Sequence, residues 1–532
     1  MSGTPAPPVS PLQTPLFRSL WLANVASGIG SAMHDTAAVW TMTLLTSSAT
    51  LVTLMQSVSS LPLFLLALPA GALADIVDRR RLILIAQLLS ALVTLLLAWI
   101  AWRGGLNPAV LLGITFVLGM GTAFTLPAWQ AMIPGIVPRE SLPGALALGG
   151  AGINIARSVG PITGGFLVAT LGPAVVFGLN ALSFAGLIVV LARAGRIGAP
   201  RAGQSEQMLG AMVAALRYTR HSPAIHAVLI RNASLVYFGI APVALLPLLV
   251  RARGLAAGDF GILMGAYGAG GIIAAFLILP RLRQRLSLDR LLLSAGLILA
   301  AMIGVLSRLG TVPAMAVVLF VAGAAWLVSM SSFSAAAQGM FPDWVRARSS
   351  AVLVLVVQAA FASGALTWGA LTGRVGPELA LQIAGGGLLA TLVLVRALPL
   401  NPHTRLNLDP SAHWAPHQLA FEPAPSDGPV LVTVDYHVEP ASAEAFRRAM
   451  GPLRTIRLRD GAFRWSLFQD LADPSHFRES FLVGTWSEHV RQHARATVED
   501  GAVEAEVISF HVGTTPPKVS HFLMKPAGQP DS

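Results

Sequence analysis

Between Trp21 and about Leu398 the chain returns again and again to runs of about 20 apolar residues, and no other feature limits its fold so strongly. A run of that length crosses the hydrocarbon layer as a helix, since inside lipid every backbone N–H and C=O must be satisfied within the segment. Only 11% of the residues are charged and 54% are hydrophobic, whereas a soluble domain has about a quarter charged. The pattern predicts a polytopic α-helical membrane protein. Twelve spans are expected, at residues 17–46, 50–74, 82–103, 108–134, 143–171, 173–193, 224–250, 258–280, 290–308, 311–337, 346–373 and 376–398. The longest polar gap, 194–222, divides them into six and six. It contains "EQMLGAMVAALRYTR", whose helical spacing of apolar residues predicts a helix lying along the membrane face. The first 16 residues are expected to be a disordered N-terminus, without the basic start or apolar core of a signal peptide.

Charge placement predicts orientation. Residues 1–400 hold 24 Arg against 9 acidic residues, a balance of +15, while residues 401–532 hold 10 Arg, 2 Lys and 16 acidic residues, a balance of −4. The basic character therefore belongs to membrane loops, and no nucleic-acid partner is implied. Loops after even-numbered spans, with the adjoining helix starts, carry 15 Arg, and those after odd-numbered spans carry five. Positive residues favour the cytoplasm, so both termini are expected there. No Cys is present, which excludes disulfides, thiol catalysis and Cys-based metal sites.

The halves also echo each other. Gly135/Gly339, Gly160/Gly364, Gly165/Gly369, Gly172/Gly376 and two proline pairs, Pro138/Pro342 and Pro173/Pro377, share an offset of 204. Such parallel repeats occur in many secondary transporters.

The loop joining spans 2 and 3 reads "GALADIVDRRRL". With twelve spans in two halves, this stretch resembles the major facilitator superfamily. That family's Gly-x-Leu-Ala-Asp-Arg-x-Gly-Arg-Arg pattern is matched by Gly71, Leu73, Ala74, Asp75, Arg79 and Arg80, while Ile76 and Asp78 replace its Arg and second Gly. The resemblance implies a cytoplasmic gate made by Gly71, Asp75, Arg79, Arg80 and Arg81. Asp75 would dock on the N-terminal end of span 11, near Asp343, with the arginines anchored to that end's carboxylates and to lipid phosphate. In span 5, "RSVGPITGGF" is similar to the core of the family's antiporter motif at Arg157, Gly160, Pro161, Gly164 and Gly165, and this likeness implies export.

Ionisable residues at membrane depth are costly and mark function. Of the nine acidic residues in the membrane part, Asp35 alone lies mid-span, beside His34. A carboxyl group there can take up and release a proton near neutral pH. Asp35 is the candidate for proton coupling with His34 as a relay; the competing expectation makes Asp35 a static partner of Arg157. Asn24, Asn154, Arg231, Asn232 and Gln358 are candidates to line the same cavity.

After a Pro/His-rich linker, strand and helix patterns follow in the order β-α-β-β-α-β, a ferredoxin-like split unit. The domain resembles the dimeric α/β-barrel family of antibiotic-biosynthesis monooxygenases. Its fusion to twelve spans is similar to the major facilitator branch of the enterobactin exporter and the transmembrane secretion effectors. That likeness implies dimerisation through this domain, or a monooxygenase site drawing on Trp465 and on His489 and His493, four apart on one helix. His476 and His511 are further candidates there. No resident metal or cofactor is expected, and no phosphate-binding Gly-Lys-Ser/Thr loop supports ATP-driven transport.

The expected organisation is thus an N-terminus (1–16), a six-helix half (17–193), a cytoplasmic central loop (194–222), a second half (223–398), a linker (399–428), a cytoplasmic ferredoxin-like domain (429–526) and a tail (527–532). The function expected is proton-driven export of a small molecule across a bacterial inner membrane. The alternatives are a membrane-tethered enzyme and an importer or facilitator without proton coupling.

Overall fold

The computed structural model describes residues 10–195, 214, 216–342, 344–398, 400, 407–411 and 421–525. It falls into two compact units, the first made of 1–205, 230–333 and 355–399, the second of 206–229, 334–354 and 400–532.

The first unit is a helical membrane bundle. Its first six helices are α1 (Pro15–Leu45), α2 (Ala49–Ile76), α3 (Arg79–Trp102), α4 (Pro108–Met132), α5 (Leu142–Leu171) and α6 (Pro173–Arg193). Then come α7 (Pro223–Gly239), α8 (Ala241–Ala252), α9 (Ala257–Ile273), α10 (Leu279–Arg285), α11 (Leu288–Leu306), α12 (Val312–Gly339) and α13 (Arg346–Leu394), with the start of α7, the end of α12 and the start of α13 falling in the second unit. Among the described residues, nine helical segments are long and apolar enough to cross a membrane. Two expected spans are each divided. Pro242 lacks a donor and separates α7 from α8 within 223–252, and a π-turn at Ala274–Ile278, just before Pro280, separates α9 from α10. Conversely α13 is continuous by hydrogen bonding, but its backbone breaks at Gly376, where φ is 80°.

Local chemistry sets the ends. Ser48 and Asn107 accept backbone N–H groups at the starts of α2 and α4. Gly172 turns the chain between α5 and α6 at φ 81°, followed by Pro173. Gly376 does the same before Pro377 at φ 80°, so the turn recurs at the 204-residue offset. The N-terminus departs from expectation. Pro11–Gln13 form a 3-10 turn in which Pro11 is buried beside Gly144, and α1 begins at Pro15; residues 1–9 lie outside the described set. The same is true of 527–532 and of most of the expected amphipathic helix, of which 216–220 are helical.

In the second unit, β1 (Val430–His437), α14 (Ala443–Asp460), β2 (Ala462–Gln469), β3 (His476–Val483), α15 (Trp486–Arg495), α16 (Val498–Ile508) and β4 (Lys518–Leu523) build an antiparallel sheet in the order β2-β3-β1-β4. The single second helix expected from the sequence is two. Ala496 and Thr497 are extended, and Thr497 and Asp500 cap α16 reciprocally, which stabilises a fresh start there. Val434 and Tyr436 of β1 cluster with Phe446, Met450 and Leu453 of α14, while Val430 and Val432 cluster with Ala462, Phe481, Val483 and Trp486.

A carboxylate lies inside that core. Glu479 is fully buried and accepts from Arg457 (3.2 Å), Trp465 Nε1 (2.9 Å) and Tyr436 (3.3 Å). Removing one partner of a buried pair costs about 3–5 kcal/mol, because the other charge stays behind. Glu479→Ala in the full-length protein is therefore expected to speed amide exchange of β1 roughly a hundredfold or more, read by mass spectrometry. Unchanged exchange would show that Glu504, 2.9 Å from Arg457, suffices as its counter-ion.

Candidate functional site

In the bundle, α5 lies between α1 and α9. Trp21 donates to the Leu148 carbonyl at 2.8 Å, and further along Gly152 meets Val25, Gly160 meets Ala32 and Gly164 meets Met33. The two helices therefore run parallel. A Cβ added at Gly160 would lie 2.4 Å from that of Ala32, and one at Gly164 would lie 2.8 Å from the Met33 backbone. On its other side, a Cβ at Gly165 would lie 2.5 Å from Gly261 Cα in α9. Glycine is what lets these backbones touch.

The repeat partners do the same elsewhere. A Cβ at Gly364 would lie 2.5 Å from the Tyr237 carbonyl in α7, and Gly369 abuts Thr53 in α2. Ser57 also donates to the Ala362 carbonyl at 3.0 Å. So α5 packs on α1 and α9, while the first part of α13 packs on α7 and α2.

Asp35 follows directly on the α1 contact with α5. Its side chain is exposed, and among the described residues no ion pair joins it to Arg157, which is exposed too. The static pairing is absent from this geometry. His34 points elsewhere: it is buried against the Phe177 ring (centroids 4.8 Å apart), and neither ring nitrogen is hydrogen-bonded within the protein. It makes no bond to Asp35, so the conformation provides no relay between them.

The cavity candidates separate. Among the described residues, Asn24, Asn154 and Gln358 are half-buried and make no side-chain hydrogen bond, and Asn232 is buried with its carbonyl oxygen unpartnered. Arg231 is a correction. It is buried, ion-paired with Asp289 at the start of α11, and donates to the Leu398 carbonyl at 3.3 Å. Its charge is consumed in tying together helix ends.

At the loop between α2 and α3, the side chains of Gly71 and Asp75, and all of Asp343, lie outside the described residues. Among the described residues, the arginines of this loop reach backbone carbonyls. Arg79 donates to the Ala131 carbonyl (2.9 Å), and Arg80 donates to the carbonyls of Leu191 (2.6 Å) and Ala192 (2.8 Å). These are the C-terminal carbonyls of α4 and α6, which lack helical donors and carry the negative end of the helix dipole. Arg81 is exposed. Asp78, in place of the family's glycine, has φ −55° and caps α3 through the Arg80 (3.0 Å) and Arg81 (3.4 Å) N–H groups. Hydrogen bonds from a charged donor contribute about 1.5–3 kcal/mol. Arg80→Ala is thus expected to lower the melting temperature of the detergent-solubilised protein by several degrees, with Arg81→Ala nearly silent in the same assay.

Sequence reasoning passed over two features. Arg251 donates to the carbonyls of Thr43 and, at 3.1 Å, Thr46, and so ties the end of α8 to the end of α1. The glycines of α9 at 261, 265 and 268 face α5 at Gly165, Ile162 and Arg157. The small-residue spacing of "GILMGAYGAGG" was the available signal.

In the second unit the tail candidates are held by neighbouring side chains. Trp465 serves Glu479, as above. His489 is buried, with Nδ1 3.3 Å from Gln492 Oε1 and its ring against Trp486, His493 and His521. His476 bridges Asp435 (3.0 Å) and Asp470 (3.3 Å), and His511 accepts from the His437 N–H at 2.9 Å. Although burial opposes it, the two carboxylates hold the His476 imidazole above its ordinary range. Among the described residues, no three His, Asp or Glu side chains are disposed to hold a metal ion.

Comparison with known proteins gives the context. The family profile described as transmembrane secretion effector matches residues 6–528. The multidrug efflux pump Tap of Mycolicibacterium fortuitum is 29% identical over 219 residues, 40% of this chain and 53% of that protein. The enterobactin exporter EntS of Salmonella choleraesuis (strain SC-B67) is 26% identical over 265 residues, 49% of this chain and 63% of that protein. This chain therefore spans little more than half the length of these curated relatives. In fold it is similar to an inward-facing bacterial homologue of the human lysosomal transporter Spinster, with a TM-score of 0.57 at 14% identity over 73% of this chain and 96% of that one. An inward-facing bacterial homologue of ferroportin gives 0.56 at 16% identity over 72% and 98%. This multi-pass membrane protein belongs to the transmembrane secretion effector family, a branch of the major facilitator transporters.

Proposed function

We propose that the protein is a proton-coupled exporter of small amphipathic or apolar molecules, working by alternating access in a bacterial cytoplasmic membrane with both termini inside. Twelve crossings form two six-helix halves. The observation that carries the reading is Asp35: an exposed mid-helix carboxylate with no arginine partner among the described residues, next to the glycine contact between α1 and α5. Neutralising it on one side of the membrane and releasing the proton on the other biases one state of the bundle over the other. Outward movement of the substrate is supported by the antiporter-type glycines and by likeness to proteins named as efflux pumps and an exporter. Orientation is supported by the even-numbered loops, which hold the arginines, and by the C-terminal domain, which shares a compact unit with residues 206–229 and 334–354 from two of those loops.

The tail is read as regulatory or dimerising on an α/β-barrel scaffold, in keeping with its sheet order and the engaged state of Trp465, His476 and His489. The test is accumulation of a fluorescent cationic dye in inverted vesicles carrying the protein, with and without an imposed pH gradient. Accumulation that follows the gradient supports the proposal. Equilibration that ignores it points to a facilitator, and turnover of a quinol by the full-length protein without transport would move the chemistry to the tail.

A further inference from the structure

We infer that the C-terminal domain is a built-in brake on the transport cycle, applied through a charged clamp centred on Glu488. The inference rests on the transporter reading. Glu488 of α15 accepts from Arg217 of the inter-half connector at 2.7 Å, and from Arg495 (2.7 Å) and Arg491 (2.8 Å) of its own helix. Arg217 reaches further, to the Gly461 carbonyl at 3.4 Å. Two cation–π contacts flank the pair. Arg459 lies 5.2 Å from the Tyr218 ring centre, and Arg495 lies 4.5 Å from that of Trp344. Asp460 and Asp500 hold Arg459 in place at 2.8 and 2.7 Å. Each membrane-side partner is an Arg or an aromatic residue held by a specific orientation, as in a docking site.

The seam is also incompletely packed. A cavity of about 450 Å³ lies along it, walled by Tyr218, Ser222 and Ile225 on one side and Pro452, Ile456 and Val503 on the other. Cation–π contacts contribute about 0.5–2 kcal/mol each, so a seam of a few such contacts beside a void is within reach of single substitutions. Burial works against the charge of Glu488, yet its three arginines bring the carboxyl down to about 2, so the clamp stays charged throughout the physiological range. A carboxylate so depressed lends stability that is present above its unfolded value near 4.5 and lost only as pH falls towards 2.

Chain continuity shows what is clamped. Arg217 and Tyr218 lie just before α7, and Trp344 lies between α12 and α13. Holding these points on one domain restrains three helix ends of the second half and the connector from the first. A half that must rock works against that restraint, so the docked form cycles slowly.

The test uses the full-length chain, whose lack of Cys makes labelling clean. Spin labels on Trp102→Cys and Arg308→Cys report the distance between loops of the two halves, without any substrate. With Arg217→Glu or Glu488→Gln, a second distance is expected to gain population several-fold, and dye transport to rise about threefold to tenfold at unchanged half-saturation. Cross-linking Arg217→Cys to Glu488→Cys with a flexible bis-maleimide is expected to hold transport below a tenth of the uncross-linked rate. Exchange at residues 216–222 confirms release in each variant, and Arg217→Glu leaves the tail's own core untouched. The brake is overturned if released variants keep the wild-type distances, or if the cross-linked protein transports normally. Shifted distances with no transport in any form would uphold the brake and sink the exporter reading.

Discussion

Gly165→Leu is expected to abolish transport in a protein that still inserts and folds. Gly165 and Gly261 bring α5 and α9 together without an intervening side chain, and even one Cβ would lie 2.5 Å from the neighbouring backbone. Overpacking of this kind costs about 1–3 kcal/mol. The penalty falls on the state in which the two backbones touch. At about 1.4 kcal/mol per tenfold, 3 kcal/mol depletes that state roughly a hundredfold. Gly369→Leu, against Thr53, is expected to do the same, since Gly369 is the repeat partner of Gly165. Gly149, with nothing within 4 Å of an added Cβ, supplies the control, and Gly149→Leu should transport normally. Dye transport per correctly inserted molecule is the measurement. Equal losses at 149 and 165 would mean that the effect is one of helix propensity and not of the seam.

Asp35→Asn is expected to remove gradient-driven accumulation, to a tenth of wild type or less, while leaving substrate exchange in the absence of a gradient. Asn keeps the shape and much of the hydrogen bonding of Asp but cannot carry the proton. With no Arg157 ion pair to break, the substitution leaves no buried cation uncompensated. That separates it from a structural lesion. Asp35→Glu should retain part of the coupling. Collapse of both exchange and accumulation would instead place Asp35 in substrate binding, and full accumulation would place coupling elsewhere.

The membrane bundle was legible because its signals are local. A long apolar run, a Pro at a helix start and the Gly-Pro pairs at 172–173 and 376–377 act through the backbone of their own segment, and the structure repeats them. The tail strands were legible through alternation. Partner choice was not. Arg79 and Arg80 also cap two helices whose ends adjoin them only in three dimensions, which no spacing in the chain announces. Arg231 looked like a cavity charge because Asp289 is 58 residues away in the chain. Arg251 looked like loop charge because its acceptors are backbone carbonyls, which every residue has and no composition count detects. The split at Thr497 went unread because a capping residue inside a helical pattern resembles any polar position until Asp500 is seen to answer it.

The glycine-on-backbone seams have a consequence for friction. Where Gly165 meets Gly261, backbone lies on backbone and no rotamer has to reset, so α5 can slide on α9 there as on a smooth bearing. Such a contact also offers no side chain to lock the register. The connector near residues 206–222 then supplies what the seams lack: it keeps the halves at high effective concentration, like a tether on two parts of a ball joint. A contact this smooth suits two halves that are already joined in one chain.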